Sequence, residues 1–275
     1  MRRTSVDRWP RPSVIGIVNV TPDSFSDGGS YASADEAVDS ARRMLADGAA
    51  LVDVGGESTR PGAGAVSQDE ELRRVVPVLE SLAGLPVSID TSRAEVARRA
   101  VALGAAMVND VTALRREPDL GGVVAEAGVD VCLMHMLGTP RTMQVEPRYN
   151  DVVDHVAAFL EERLAFAVGA GIAEERICLD PGIGFGKTAD HNLELLRRLD
   201  RIVALGRPVL VGVSRKSTLA RVLGDDGPVG TDAASVGAAV AAFDRGATLF
   251  RVHDVAVHVQ ALAAAAAVER GSVVA

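Results

Sequence analysis

Lysine is almost missing from this chain. Of 29 lysines and arginines in 275 residues, only Lys187 and Lys216 are lysines, and arginine supplies the other 27. Arginine is a rigid planar fork, whereas lysine is a compact point charge whose pKa moves on burial, so a retained ammonium marks a candidate site. Cysteine is as scarce. Cys132 and Cys178 stand far apart in apolar runs with no C-x-x-C spacing, which excludes a disulfide scaffold and fits reduced core residues of a cytoplasmic protein. Aromatics make up 3% of the chain against 48% hydrophobic residues, so Val, Ala, Leu and Ile must fill the core. No uninterrupted apolar run reaches the roughly 18 residues of a membrane span. The basic start, "MRRTSVDRWPRP", meets "SVIGIVNV" without the apolar stretch of a signal peptide. An excess of positive charge is missing too. The net charge of −8 argues against a nucleic-acid partner and leaves any basic cluster as a local site.

What is present is repetition. Eight β-rich runs occur at 14–20, 50–55, 86–90, 105–111, 129–135, 176–180, 208–214 and 247–253. Between them lie helix-period segments such as "SRAEVARRAVALG" and "DVVDHVAAFLEERLAFAVGAG", many opening at Ser, Thr or Asp and closing at Gly. Apolar strands alternating with helices read as parallel βα units. Eight units predict a single α/β domain, a (β/α)8 TIM barrel, with an open doubly wound sheet as the alternative. The expected boundaries are a tail at 1–12, the barrel at 13–270 and a second tail at 271–275.

A barrel requires its functional groups at the carboxyl ends of the strands. Those ends offer Asn19, Asp53 with Glu57, Asp90, Asn109, His135, Asp180, Ser214 with Lys216, and Arg251 with His253. Caps and turns make loop starts polar anyway. That accounts for Asp53 and Ser214, but poorly for carboxylates, amides, a rare lysine, an arginine and a histidine on one rim. Asp90, Asn109 and Asp180 suit a flat heterocycle presenting several N–H groups. Lys216 would donate to a ring carbonyl or ring nitrogen, where an arginine fork is too large. Arg251 and His253, after strand eight, form an anion site. Asn19 offers the neutral oxygen that a Mg²⁺ with phosphate ligands accepts. "PGIGFGKT" ends like a P-loop, but Pro181 replaces the first required glycine. His155, His191 and His258 fall in helices as solvated or capping residues. For Lys187, loop stabilisation and simple solvation both stay open.

In order, "GIVNVTPDSFSDGG", "VDVGGESTRPGA", "VSIDTSR", "VNDV", "LDPGIGFGKT", "GVSRKS" and "FRVHDV" resemble the motifs of the pterin-binding dihydropteroate synthase family over nearly the whole chain. That resemblance implies a Mg²⁺-dependent transferase of folate biosynthesis. It joins (7,8-dihydropterin-6-yl)methyl diphosphate to 4-aminobenzoate and releases pyrophosphate. The implied pterin diphosphate contacts are Thr59, Asp90, Asn109, Met134, Asp180, Phe185, Lys216, Arg251 and His253, with Asn19 at the metal. Those to 4-aminobenzoate are Phe25, Thr59, Arg60, Pro61 and Ser217. Asp90, Lys216, Arg251 and His253 are the expected catalytic set. The family further implies a homodimer and inhibition by sulfonamides. Two other readings of a pterin barrel are a methyltetrahydrofolate–corrinoid methyltransferase and a silent pterin-binding paralogue. "TALRREPDL", after strand four, receives no role.

Overall fold

The computed structural model describes residues 5–20, 32–59, 64, 66–225 and 230–272. Phe25, Arg60 and Pro61 therefore lie outside the described residues. The strands are β1 (Ser13–Asn19), β2 (Leu51–Gly55), β3 (Val87–Asp90), β4 (Met107–Asp110), β5 (Asp130–Met134), β6 (Ile177–Asp180), β7 (Leu210–Val211) and β8 (Leu249–Val252). The helices are α1 (Ala32–Ala46), α2 (Gln68–Ser81), α3 (Ala94–Ala102), α4 (Asp119–Ala127), α5 (Val152–Gly169), α6 (Ala189–Arg197), α7 (Asp200–Val203), α8 (Ser217–Val222), α9 (Asp232–Phe243) and α10 (Val255–Arg270). All strand pairs are parallel, in the order β6-β5-β4-β3-β2-β1-β8-β7. A bridge between Leu179 and Val209 joins the two end strands, and the expected eight-stranded barrel closes. Among the described residues, no helix is long and apolar enough to cross a membrane.

Side chains alternate along a strand and match across parallel neighbours, so the register sorts the barrel into layers. One set of positions, including Val52, Val54, Ile89, Val108, Leu133 and Leu179, packs outward with helix residues such as Val75, Val96 and Leu120. The other set faces the axis. Its lower layer is Ile15, Leu51, Met107, Cys132, Cys178, Leu210 and Leu249. Two residues further along the same strands come Asp53, Asn109, Asp180 and Arg251. Cys132 and Cys178, far apart in sequence, are buried register partners and remain unbonded thiols.

Three expectations shift. The described residues before β1, placed in a tail by the sequence, pack into the barrel instead. A 3-10 turn at Val6–Arg8 buries Val6 completely and Trp9 to 3% exposure, and both join the apolar lower layer. Strand seven keeps only Leu210–Val211 of the run 208–214. Its chain turns after Gly212 and reaches a left-handed Arg215 (φ 56°), so Ser214 and Lys216 stand on a loop. The segment "NLELLRRLDRIVALG" is two helices, broken at Arg198–Leu199.

Candidate active site

Strand alternation brings Asp53, Asp90, Asn109 and Asp180 to one buried ring, with Arg251 reaching across it. Arg251 donates through Nε to Asp53 Oδ2 (2.7 Å) and through a terminal nitrogen to Asp90 Oδ2 (2.9 Å). Asp53 is the hub. It also accepts from Ser88 Oγ (2.5 Å) and Asn109 Nδ2 (2.9 Å). Removing an ion pair from water is costly, and excellent geometry with further hydrogen bonds offsets that cost. Burial opposes the Arg251 charge, yet Asp53 and Asp90 hold its pKa above the usual arginine value. Burial pushes Asp90 up to about 7, with Arg251 pulling it back and Asp53 adding repulsion. Burial is the largest of these causes, so Asp90 takes up a proton more readily than an exposed aspartate.

Asp180 accepts from the Gly182 amide (2.7 Å). Burial raises its pKa to about 6 against that bond and against Lys216. Asn109 keeps a buried Oδ1 with no partner. A buried acceptor left unpaired costs about 1–3 kcal/mol, so this oxygen is built for a donor from outside. Lys216 sits with Nζ 4.4 Å from the centre of the Phe185 ring. Phe185 packs on an apolar wall of Val111, Met134, Met136 and Met143. The ring of polar groups, the apolar wall and the lysine make a slot for a flat, polar-edged molecule.

The remaining candidates are peripheral to that ring. His253 is half-buried and shares Nδ1 with Ser214 Oγ (3.0 Å), which also accepts from the His253 amide (3.2 Å). Asn19 is half-buried at the end of β1, and Ser217 is the exposed first residue of α8. Thr59 lines a cavity of about 470 Å³, together with Asp90, Thr91, Val111, Arg115 and Met136. That volume is ordinary for a small-molecule site, and it opens on the Asp90 side of the ring.

Lys187 is the second lysine explained. It is 2% exposed and far from solvated. Its ammonium meets His135 Nδ1 (2.8 Å) and the carbonyls of Gly182 (2.9 Å) and Phe185 (3.0 Å). Burial lowers His135 to about 2, so the imidazole is neutral and accepts from the ammonium. Burial also lowers Lys187, to about 7, against the pull of Asp180. The loop it staples turns at Gly182 (φ 68°), where any Cβ would overlap the His135 carbonyl oxygen. His135 thus serves the loop rather than the ring. His191 completes a capping box with Thr188, as expected. His258 does not stay on a solvated face; it is fully buried, with Nδ1 2.6 Å from the Asp254 carbonyl. Asp53, read as a mere loop-start acid, is the residue that sequence reasoning undervalued. Its position two residues after inward Leu51 was the available signal.

A closed parallel barrel with a buried acid–amide–arginine ring at the carboxyl ends defines a barrel enzyme for a polar heterocycle. Residues 15–253 match the family model described as pterin binding enzyme, and the chain belongs to that family. It is similar to dihydropteroate synthase of Neisseria meningitidis serogroup C, 48% identical over 259 residues and 92% of each chain. Solved structures of Xanthomonas albilineans dihydropteroate synthase match as well. One, with 4-aminobenzoic acid, is 50% identical, covers 94% of this chain and 93% of that one, and has a TM-score of 0.87. Another, with 7,8-dihydropteroate, is 47% identical, covers 94% of each and has a TM-score of 0.84.

Proposed function

We propose that this chain transfers the methylene of (7,8-dihydropterin-6-yl)methyl diphosphate to the nitrogen of 4-aminobenzoate, giving 7,8-dihydropteroate and pyrophosphate. The observation that carries this reading is the unpartnered Oδ1 of Asn109, set between Asp90 and Asp180. A pterin edge, rich in N–H donors, satisfies such a set of acceptors. Lys216 donates to the ring, and Met134 and Phe185 cover its face. Arg251 and His253 receive the diphosphate, with Thr59 beside them.

The carbon–oxygen bond breaks with its electron pair leaving on the diphosphate, whose growing charge Arg251 stabilises. The pterin ring nitrogens delocalise the resulting methylene cation. The aminobenzoate nitrogen then adds to that carbon and loses a proton. No protein nucleophile takes part. Thr59 and Ser217, with Phe25, Arg60 and Pro61, hold the aminobenzoate. Asn19 supplies one neutral oxygen, and among the described residues no cluster of His, Cys, Asp or Glu could hold a metal. That donor set fits a Mg²⁺ that arrives on the diphosphate, not one caged by the protein. When bound, the ion would neutralise charge on the leaving group.

The test is pyrophosphate release from the pterin diphosphate. We expect release that requires 4-aminobenzoate and Mg²⁺. A chain that binds the pterin and releases nothing would be a silent paralogue. We further propose a homodimer, supported by Val257 and Val268 exposed on α10 at 40% and 82%. Sedimentation at the mass of one chain would refute it.

A further inference from the structure

We propose that Arg116 is a positioning residue for the second substrate, acting through Glu57 on the segment that carries Thr59. The proposal rests on the transfer reading above for what Thr59 touches. It starts from "TALRREPDL", the stretch to which the sequence assigns no role. Asp110 shapes the start of that stretch by accepting from the amides of Thr112 (2.8 Å) and Leu114 (2.6 Å). Ala113 and Leu114 are both left-handed (φ 53° and 61°), a turn that those bonds stabilise. Arg115 then donates to the Met136 carbonyl (2.9 Å) and lies 4.8 Å over the Phe159 ring. Arg116 is therefore mounted on a fixed post.

From that post it reaches Glu57 Oε2 at 3.1 Å. The other oxygen of Glu57 accepts from the Val66 amide (3.3 Å), so one carboxylate links Arg116 to Val66. The tie has an inner side. Arg93 lies 3.6 Å from the same Glu57 oxygen, donates to the Val66 carbonyl and pairs with buried Glu71. Arg74 holds the Gly56 carbonyl (2.9 Å). Arg93 is a core residue, whereas Arg116 has a side chain 39% exposed. It is the replaceable member of the set. Asp90, Asn109, Asp180 and Lys216 stand on other elements. Losing the Arg116 tie should disturb Thr59 and leave the pterin-ring contacts alone.

Exposed ion pairs are worth little, so the expected effect is modest, about two- to fivefold. Steady-state turnover would be compared for the parent, Arg116→Ala and Arg116→Lys, alongside hydrogen exchange at the Val66 amide. We expect Arg116→Ala to raise the KM for 4-aminobenzoate by that factor, with faster Val66 exchange and unchanged affinity for the pterin alcohol, which lacks the diphosphate that Thr59 also meets. Arg116→Lys should recover most of the loss. An unchanged KM, an equal loss of pterin affinity, or unchanged Val66 exchange would each overturn the proposal. If the parent shows no turnover, the transfer reading fails. Val66 exchange then decides alone whether Arg116 holds the segment.

Discussion

Two residues along each strand separate the lower layer of the barrel from its rim, and the two layers obey different rules. Below, Ile15, Leu51, Met107, Cys132, Cys178, Leu210 and Leu249 pack with Val6 and Trp9. Burying a side chain of that kind stabilises the fold by about 1.5–3 kcal/mol, and, the Trp9 indole and the two thiols aside, no side chain there carries a group that needs a partner. Above, Asp53, Asp90, Asn109 and Arg251 are held by one another, and Asp180 by the Gly182 amide. Buried pairs of this kind are weak evidence for stability but costly to break. The lower layer can therefore be understood by volume alone, whereas the rim is a set of mutual dependencies with one acceptor left over.

The largest expected effect comes from removing the hub. Asp53→Ala leaves Arg251 with Asp90 alone and takes the buried acceptor from Ser88 and Asn109, and should cost about 3–5 kcal/mol of stability in denaturant unfolding. A loss below about 1 kcal/mol would mean that the ring does not depend on Asp53.

Next comes Asp180→Asn, which should weaken pterin binding by about 2–4 kcal/mol by calorimetry. Its pH dependence sharpens the contrast. The folded pKa of Asp180 is raised from 3.8 to about 6, so binding by the parent should weaken below that pH as the carboxylate takes up a proton. The variant should lose this limb and keep the dependence that Asp90, raised to about 7, gives at higher pH. For stability the sign is opposite to that of a salt-bridged acid. Between the two values the folded chain holds a proton that the unfolded chain has released. The contribution of Asp180 to stability is thus greatest at the acid end and is lost as pH rises through the folded value. A binding curve that is flat across pH 5–7 in the parent would remove the carboxylate from the pterin site.

Lys216→Arg keeps the charge and changes its shape. We expect about tenfold weaker pterin binding, near 1.4 kcal/mol, and parental affinity would detach Lys216 from the ring. The smallest effect belongs to the lower layer. Met107→Leu conserves volume and should cost less than about 1.5 kcal/mol of stability, with pterin affinity unmoved. A change in affinity would show that the two layers are coupled after all.

Much of this contrast was legible in the chain. Apolar runs recurring eight times, each followed by a helix period, led to the barrel, because strand and helix periodicities are local properties of the backbone. The same period of two placed Asp90, Asn109, Asp180 and Arg251 on inward positions, and the scarcity of lysine drew attention to Lys216. Other features needed the folded chain. Asp53 and Arg251 are 198 residues apart yet bond at 2.7 Å, which only closure of the sheet brings about. Lys187 had two readings until burial and three acceptors decided between them. Glu57 and Arg116 meet across 59 residues, and Cys132 and Cys178 meet through strand register. The sequence by itself determined which elements form and which residues face inward, because those follow from local periodicity. Only the tertiary structure decided which charges share a partner and which acceptor has none, because pairing depends on register and ring closure between distant segments.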